Sequence, residues 1–178
     1  MIINERESRQ DYIVEAARQI MAAGRTAPQS KGLDHLEIIT LTGESICELA
    51  AGMRLAAEKT GMKFFLRDAD NIEQAGAVIL VGSHPQTIGL NCAYCGYPTC
   101  ADKKEHEEVP CALNSVDIGI AIGAMAATAS ALHIDNRIMF SAGYAAQEMN
   151  LLSDCKSIFA IPLSISSKNP FFDRKPKQ

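Results

Sequence analysis

Four of the six cysteines fall within one short stretch, and this stretch constrains the chain more than any other feature. They follow the spacing C-x2-C-x4-C-x10-C and are Cys92, Cys95, Cys100 and Cys111. The first residues are charged and lack the apolar core of an export signal, so we expect a reducing cytoplasmic setting. Clustered thiols in that setting favour a metal over disulfides. The spacing therefore predicts an iron–sulfur cluster of the [4Fe-4S] type.

The residues between the cysteines suit such a cluster. The two residues between Cys92 and Cys95 allow one turn to direct both sulfurs to one point, and Gly96 and Pro98 favour turns. A turn leaves backbone N–H groups free to donate to sulfur, which raises the potential of a cluster. Cys111 precedes a long apolar stretch, and a thiolate is stabilised near a helix N-terminus.

Charged residues follow the third cysteine. Lys103 and Lys104 can offset the negative charge of four thiolates. Three carboxylates follow and can cancel this effect: Glu105, Glu107 and Glu108. The local charge around the site is therefore balanced as far as the sequence indicates.

Other interpretations of the cysteines stay open. Four cysteines also suit a tetrahedral structural zinc, although zinc sites commonly use two short cysteine pairs and only one is present here. A metal-free or disulfide-bonded state is a third possibility, and His106 could replace Cys111 as a ligand. If the metal only stabilises the fold, the chain is a structural zinc-binding or interaction protein.

Composition narrows the class of protein. The 178 residues suit a single domain, 1–178, with the cluster loop inserted at 88–112. The net charge of −4 and the absence of tryptophan give no support for nucleic acid or an anionic membrane as a partner. No hydrolase or nucleotide-binding motif is present.

Periodicity predicts alternating helices and strands. Predicted helices span 8–23, 45–59, 71–75, 115–132 and 145–151. The first is started by a Ser8–Asp11 capping box and ended by Gly24, and the second is ended by Gly61. Predicted strands span 38–41, 63–66, 77–82, 137–141 and 157–165. The strand at 77–82 is continuously apolar, which is typical of a central strand covered on both faces.

The helix at 115–132 is apolar almost all round, and Asn114 with Asp117 gives it a cap signature. Small residues recur along it every four positions: Gly119, Gly123, Ala127 and Ala131. This row favours close packing against another helix, within the subunit or across a dimer. A membrane span is disfavoured because the run is short, carries Asp117 and has no companion.

Three further residues have simple interpretations. Cys47 lies among apolar neighbours and is predicted to be a packed core thiol. Cys155 is isolated and is predicted to be a free thiol. His84 ends the predicted central strand, where it is a turn residue that could also support the cluster ligands.

Two resemblances concern the cysteine stretch. The run NCAYCGYPTC resembles the four-cysteine cluster domain of corrinoid proteins of the acetyl-CoA synthase/CO dehydrogenase type and of some electron-transport subunits, where the fourth cysteine lies further downstream than Cys111. The whole chain resembles a bacterial and archaeal family of uncharacterised proteins containing a ferredoxin domain. That resemblance implies a [4Fe-4S] cluster and no established activity.

The order of elements is similar to the nitroreductase family. The similarity is carried by APQS at 27–30 with the strand LEIITL, by Asp117 and Gly119 opening an alanine-rich helix, by 159–165, and by the tail residues at 169–170 and 174–176. It implies an α+β fold, a nitroreductase-like α/β sandwich with a mixed central sheet and helices on both faces, and the cluster loop inserted before the central helix. It also implies a homodimer with FMN at its interface.

The same resemblance implies flavin contacts from two segments: Arg6, Ser8, Arg9, Pro28, Ser30 and Lys31. The chain departs from that family at 32 and 34–36, where Gly32 and the run DHL replace the usual flavin-binding side chains. The expected function is a redox protein that passes single electrons and can be coupled to a bound flavin, with an electron donor and an acceptor as partners.

Overall fold

The computed structural model describes residues 1–172, so the tail similarity at 174–176 lies outside the described residues. The helices are α1 (Glu5–Thr26), α2 (Glu44–Thr60), α3 (Phe64–Ile72), α4 (Cys100–Lys104), α5 (Ala112–Ala131) and α6 (Phe140–Glu148), with a 3-10 turn at Ser30–Gly32. The strands are β1 (Leu36–Leu41), β2 (Ala77–Ser83), β3 (Asp135–Asn136) and β4 (Ser157–Ser164).

One sheet in the order β1-β2-β4-β3 organises the chain. All of its pairings are antiparallel over the described residues, so the predicted mixed sheet is wrong. All seven residues of β2 are buried, as its continuous apolar run predicted. Alternate residues point to opposite faces: Val78 and Leu80 pack with α2, α3 and α6, while Ile79 and Val81 pack with α1 and α5. The helices on both faces confirm the predicted α+β sandwich.

The ends of α1 differ from the prediction for physical reasons. Asn4 caps the helix by accepting from the backbone N–H of Arg6, so the helix begins before the predicted Ser8–Asp11 box. Gly24 lies inside the helix instead of ending it. A β-carbon at Gly24 would lie 2.5 Å from the sulfur of Met125 on α5, so glycine allows the close approach of α1 and α5.

Two predicted strands are wrong. The run at 63–66 is the start of α3, where Phe65 is buried and its ring lies 5.5 Å from that of Tyr144. A four-residue apolar run does not separate a strand from a helix, and tertiary packing decides. At 137–141 only Met139 pairs, as an isolated bridge to Ala160, and α6 begins at Phe140. The helix α2 and its end at Gly61, with φ +72°, are confirmed.

The helix α5 has one covered face and one open face. Its covered face packs on α1 and the sheet. On the open face Val116 and Ile120 are 52% and 42% exposed, and a β-carbon at Gly119 or Gly123 would meet nothing within 4 Å. Among residues 1–172 this is the one helix long and apolar enough to cross a membrane, a composition that core helices of soluble proteins share.

The two cysteines outside the stretch were predicted with mixed success. Cys47 is exposed on α2, so the predicted core thiol is wrong. Cys155 is a free thiol, as predicted, and it is buried next to Gly82 of β2.

Candidate metal centre

The segment between β2 and α5 brings the four clustered cysteines together. Cys92, Cys95, Cys100 and Cys111 all line one small cavity that is partly open to solvent. None of them forms a disulfide, and Cys111 is the most buried of the four. Cys47 and Cys155 do not line this cavity. The chain therefore gathers the four thiols that the spacing selected.

Cys100 is held by a turn of backbone just before the cysteines. Its backbone N–H donates to the side-chain oxygen of Asn91 at 2.8 Å, and the backbone N–H of Asn91 donates to its sulfur at 3.4 Å. Gly89 and Asn91 both have positive φ, +76° and +48°, which turns successive N–H groups toward one side. Sequence reasoning missed Asn91, because only its φ and its pairing with Cys100 reveal its part.

The same turn favours the thiolate of Cys100. The backbone N–H of Asn91 lowers the pKa of this thiol most, and the N–H groups of Gly89 and Leu90 and the charge of Lys104 add to the effect, while partial burial opposes it. Because a metal binds the thiolate and not the thiol, the lowered pKa prepares Cys100 as a ligand.

The short helix α4 fixes Cys100 relative to two lysines. Thr99 and Asp102 form a capping box, with each side chain accepting from the backbone N–H of the other. This T-x-x-D signature could have been read from the sequence. Lys103 lies one turn after Cys100, is only 3% exposed and lines the cysteine cavity, whereas Lys104 is exposed. The sequence alone predicted the same role for both lysines, which was to offset the negative charge of the thiolates.

Asn114 and Asp117 were predicted as a helix cap, and this prediction is wrong. The residue at the cap position of α5 is Cys111, and the other two lie buried within the helix. The side-chain amide of Asn114 donates to the carbonyl oxygens of His84 at 2.9 Å and Gln86 at 2.6 Å. It therefore holds the start of the segment that carries the cysteines.

Asp117 joins the other loop at this end of α5. Its carboxylate accepts from the backbone N–H and from the hydroxyl of Ser30, both at 2.9 Å. The ring of His35 is fully buried: Nδ1 donates to the carbonyl oxygen of Leu33 at 2.8 Å, and Nε2 lies 3.4 Å from Asp117 Oδ2. Nε2 forms no hydrogen bond, although the carboxylate of Asp117 lies within ion-pair distance of it. Ser30 and Asp117 lie 87 positions apart in the sequence, so no local sequence pattern could have predicted this cluster.

The two histidines near the cysteines are engaged elsewhere. The ring of His106 stacks on Tyr97 with centroids 4.8 Å apart, and its Nδ1 lies 3.4 Å from a carboxylate oxygen of Glu108. His84 contacts Glu37 at 3.2 Å and does not line the cysteine cavity. Over residues 1–172, no group of three or more His, Cys, Asp and Glu side chains is placed so that it could hold a metal ion.

The predicted flavin contacts form two separate groups. Arg6, Ser8 and Arg9 lie at the start of α1, while Pro28, Ser30 and Lys31 follow its end. A helix of 22 residues is about 33 Å long, which exceeds the length of a flavin mononucleotide. One subunit therefore does not bring the two groups to one ligand.

Several of these side chains also have partners. Arg9 pairs with Glu5 through two hydrogen bonds, at 2.7 and 2.8 Å. Ser30 binds Asp117, and the ammonium of Lys31 donates to the carbonyl oxygen of Ile88 at 3.3 Å. The second group thus contributes to holding the cysteine segment.

Comparison with known sequences identifies the family. A model of the family described as uncharacterized protein containing a ferredoxin domain matches residues 107–174, which include Cys111. A protein of Archaeoglobus fulgidus, described as an uncharacterized protein, is 37% identical over the full length of both chains. The chain belongs to this family of proteins containing a ferredoxin domain.

Comparison with solved structures identifies the fold. Nitroreductase A from Vibrio parahaemolyticus matches with a TM-score of 0.55 and 18% identity over 92% of this chain. An NADPH:FMN oxidoreductase from Vibrio harveyi matches with a TM-score of 0.54, also at 18% identity over 92% of this chain. An FMN-dependent nitroreductase from Clostridium difficile matches with 0.53, at 19% over 86%.

This chain spans 61%, 63% and 76% of those three proteins. At these identities the likeness establishes the nitroreductase fold and nothing about the site.

Proposed function

We propose that this protein binds a [4Fe-4S] cluster through Cys92, Cys95, Cys100 and Cys111 and takes part in single-electron transfer. The observation that carries the proposal is that these four free thiols, and neither of the other two, line one cavity. The description of the family as containing a ferredoxin domain supports the same conclusion.

The spacing of the cysteines favours a cluster over zinc. Structural zinc sites commonly use two separated short cysteine pairs, and this chain has one such pair, Cys92 and Cys95. Cysteine runs of several different spacings hold iron–sulfur clusters, in which each thiolate binds an iron.

The chain supplies ligands and their surroundings, and a bound cluster would supply one-electron oxidation and reduction. The N–H groups at 89–91 stabilise a thiolate at Cys100. Asn114 and Lys31 hold the segment against α5 and the 3-10 turn. We propose that the partners are an electron donor and an acceptor and that the protein works in the reducing cytoplasm.

We also propose that the protein is a homodimer formed through the open face of α5. Val116 and Ile120 are exposed there, and the neighbouring glycines leave room for a second backbone to approach. A flavin fits this chain only if such a dimer brings the start of α1 in one subunit near residues 28–31 of the other.

Purification without oxygen tests the cluster. We expect iron and sulfide in equal amounts and broad visible absorption from thiolate-to-iron charge transfer. Replacing any one of the four cysteines by serine should remove most of the iron, while Cys47→Ser, as a matched control, should retain it. Stoichiometric zinc without iron would contradict the proposal and support a structural metal. Flavin absorption in the same spectrum would report FMN.

A further inference from the structure

One peptide group joins a lysine to a candidate ligand of the metal centre. The ammonium of Lys31 donates to the carbonyl oxygen of Ile88 at 3.3 Å, and Ile88 lines the cysteine cavity. The N–H of the same peptide belongs to Gly89, and it is one of the backbone N–H groups that favour a thiolate at Cys100. The peptide between Ile88 and Gly89 therefore accepts from a cation at its oxygen and directs its N–H toward a ligand sulfur.

The 3-10 turn places Lys31 for this contact. The preceding residue, Ser30, is held by two hydrogen bonds to the carboxylate of Asp117, both at 2.9 Å. Lys31 itself has φ +58°, a left-handed conformation that residues other than glycine rarely adopt. Such residues persist where the surrounding contacts hold them, and they are frequent at functional sites. The backbone conformation and the contact with Ile88 together point to a function for the side chain at this position.

A cation at the carbonyl oxygen makes the N–H of the same peptide a stronger donor, because hydrogen bonds that share one peptide group polarise each other. Hydrogen bonds to the sulfurs of a cluster help to set its reduction potential, since they stabilise the added negative charge of the reduced state. Lys31 is exposed, so water screens its charge over longer distances. The effect that remains is the one carried by direct contact with the peptide.

We propose that Lys31 is a positioning residue of the metal centre: through the peptide between Ile88 and Gly89, it raises the reduction potential of a cluster bound at Cys100. This inference rests on the proposed cluster. It gives Lys31 a role other than the flavin contact that the nitroreductase resemblance implied.

The test compares variants of the full-length protein reconstituted with iron and sulfide. Lys31→Met removes the charged donor and keeps an unbranched side chain, while Lys31→Arg keeps a charged donor. Lys63→Met makes the same change of net charge at an exposed position before α3, which packs on the opposite face of the sheet from α5. Protein-film voltammetry should give a more negative midpoint potential for Lys31→Met than for the other two variants. Lys31→Met should also lose iron to a chelator faster, by up to about tenfold for one hydrogen bond from a charged donor.

Lys31→Gly separates an effect on the metal centre from a general loss of stability. Glycine adopts the left-handed φ without strain, so the metal-free variant should unfold at the temperature of the wild-type apoprotein or above it. The iron-loaded variant should nevertheless have the lowered midpoint potential of Lys31→Met. A lower unfolding temperature of the Lys31→Gly apoprotein would assign the side chain a structural role and overturn the inference.

Three other outcomes would decide against it. Equal potentials for Lys31→Met and Lys63→Met in iron-loaded protein would overturn the inference and leave the proposed function in place. A potential of Lys31→Arg as low as that of Lys31→Met would do the same, because arginine keeps the charged donor. Wild-type protein that binds no iron and sulfide would overturn both the inference and the proposed function.

Discussion

Asn91 and Cys100 bind each other twice: the backbone N–H of Cys100 donates to the Asn91 side chain at 2.8 Å, and the backbone N–H of Asn91 donates to the Cys100 sulfur at 3.4 Å. The pair joins the turn before the cysteines to the start of α4. It ties the orientation of one thiol to a residue nine positions away.

Asn91→Ala should loosen the turn that holds Cys100. The change removes one hydrogen bond, worth about 1 kcal/mol, and places alanine at a left-handed φ. That conformation costs a residue other than Gly, Asn or Asp roughly 1–2 kcal/mol more. We expect faster loss of iron to a chelator, measured by absorbance. Asn91→Asp keeps both the acceptor oxygen and the tolerance of positive φ, so an equally fast loss in that variant would contradict the explanation.

Asp117→Ala should destabilise the whole chain. The substitution leaves the partly buried backbone N–H and hydroxyl of Ser30 without their acceptor and the buried ring of His35 without its carboxylate neighbour. Removing one member of such a buried polar cluster costs about 3 kcal/mol. The midpoint of urea unfolding should fall accordingly.

A matched control uses an exposed pair. Glu15→Gln breaks the salt bridge with Arg18. Because the side chains of Arg18 and Glu15 are 71% and 57% exposed, the loss should lower the free energy of unfolding by well under about 1 kcal/mol. Similar losses for Asp117→Ala and Glu15→Gln would mean that the buried network adds no stability.

Cys155 should resist alkylation while Cys47 reacts. Burial raises the pKa of the Cys155 thiol from its ordinary value of 9.0 to about 11, and the charge of Glu37 adds to the shift. Little reactive thiolate is therefore present at pH 8, whereas Cys47 is exposed. Mass spectrometry after brief treatment with iodoacetamide should find the label on Cys47 and not on Cys155. Equal labelling would contradict the burial of Cys155 against β2.

The same thiol predicts a dependence of stability on pH. Its pKa is higher in the folded state than in the unfolded state. Below about pH 9 the thiol keeps its proton in both states, so its full contribution to the free energy of unfolding is present. Above pH 9 the unfolded chain loses the proton more readily, and stability declines until the pH passes about 11. Urea unfolding at pH 8 and pH 10 should register a smaller decline in Cys155→Ala than in the wild type.

Gly123→Leu should separate a homodimer without harming the subunit. A β-carbon at Gly123 meets nothing within 4 Å in the subunit, so the larger side chain has room there. Across a close helix pair it would collide with the partner helix. Sedimentation should report a lighter species with an unchanged circular dichroism spectrum. Glu58→Leu, at an exposed position of α2, should leave the mass unchanged, and an unchanged mass in Gly123→Leu would exclude the α5 face as the dimer contact.

The sequence by itself determined the features that lie within one local pattern. The cysteine spacing selected the four thiols that line the cavity, and the apolar run of β2 predicted its burial on both faces. The end of α2 at Gly61 followed from a glycine that adopts positive φ. These patterns are readable because the spacing of residues along a strand, helix or turn sets which side chains share a face.

The tertiary structure alone decided how distant segments meet. Lys103 and Lys104 are neighbours in the chain, and only packing of the segment buries the first. Asp117 binds Ser30 across 87 positions, and the length of α1 separates the two groups of predicted flavin contacts. Local periodicity does not report contacts between residues that are far apart in sequence. Whether a side chain is buried, and which side chain it contacts, depends on how the helices and strands pack in the folded chain.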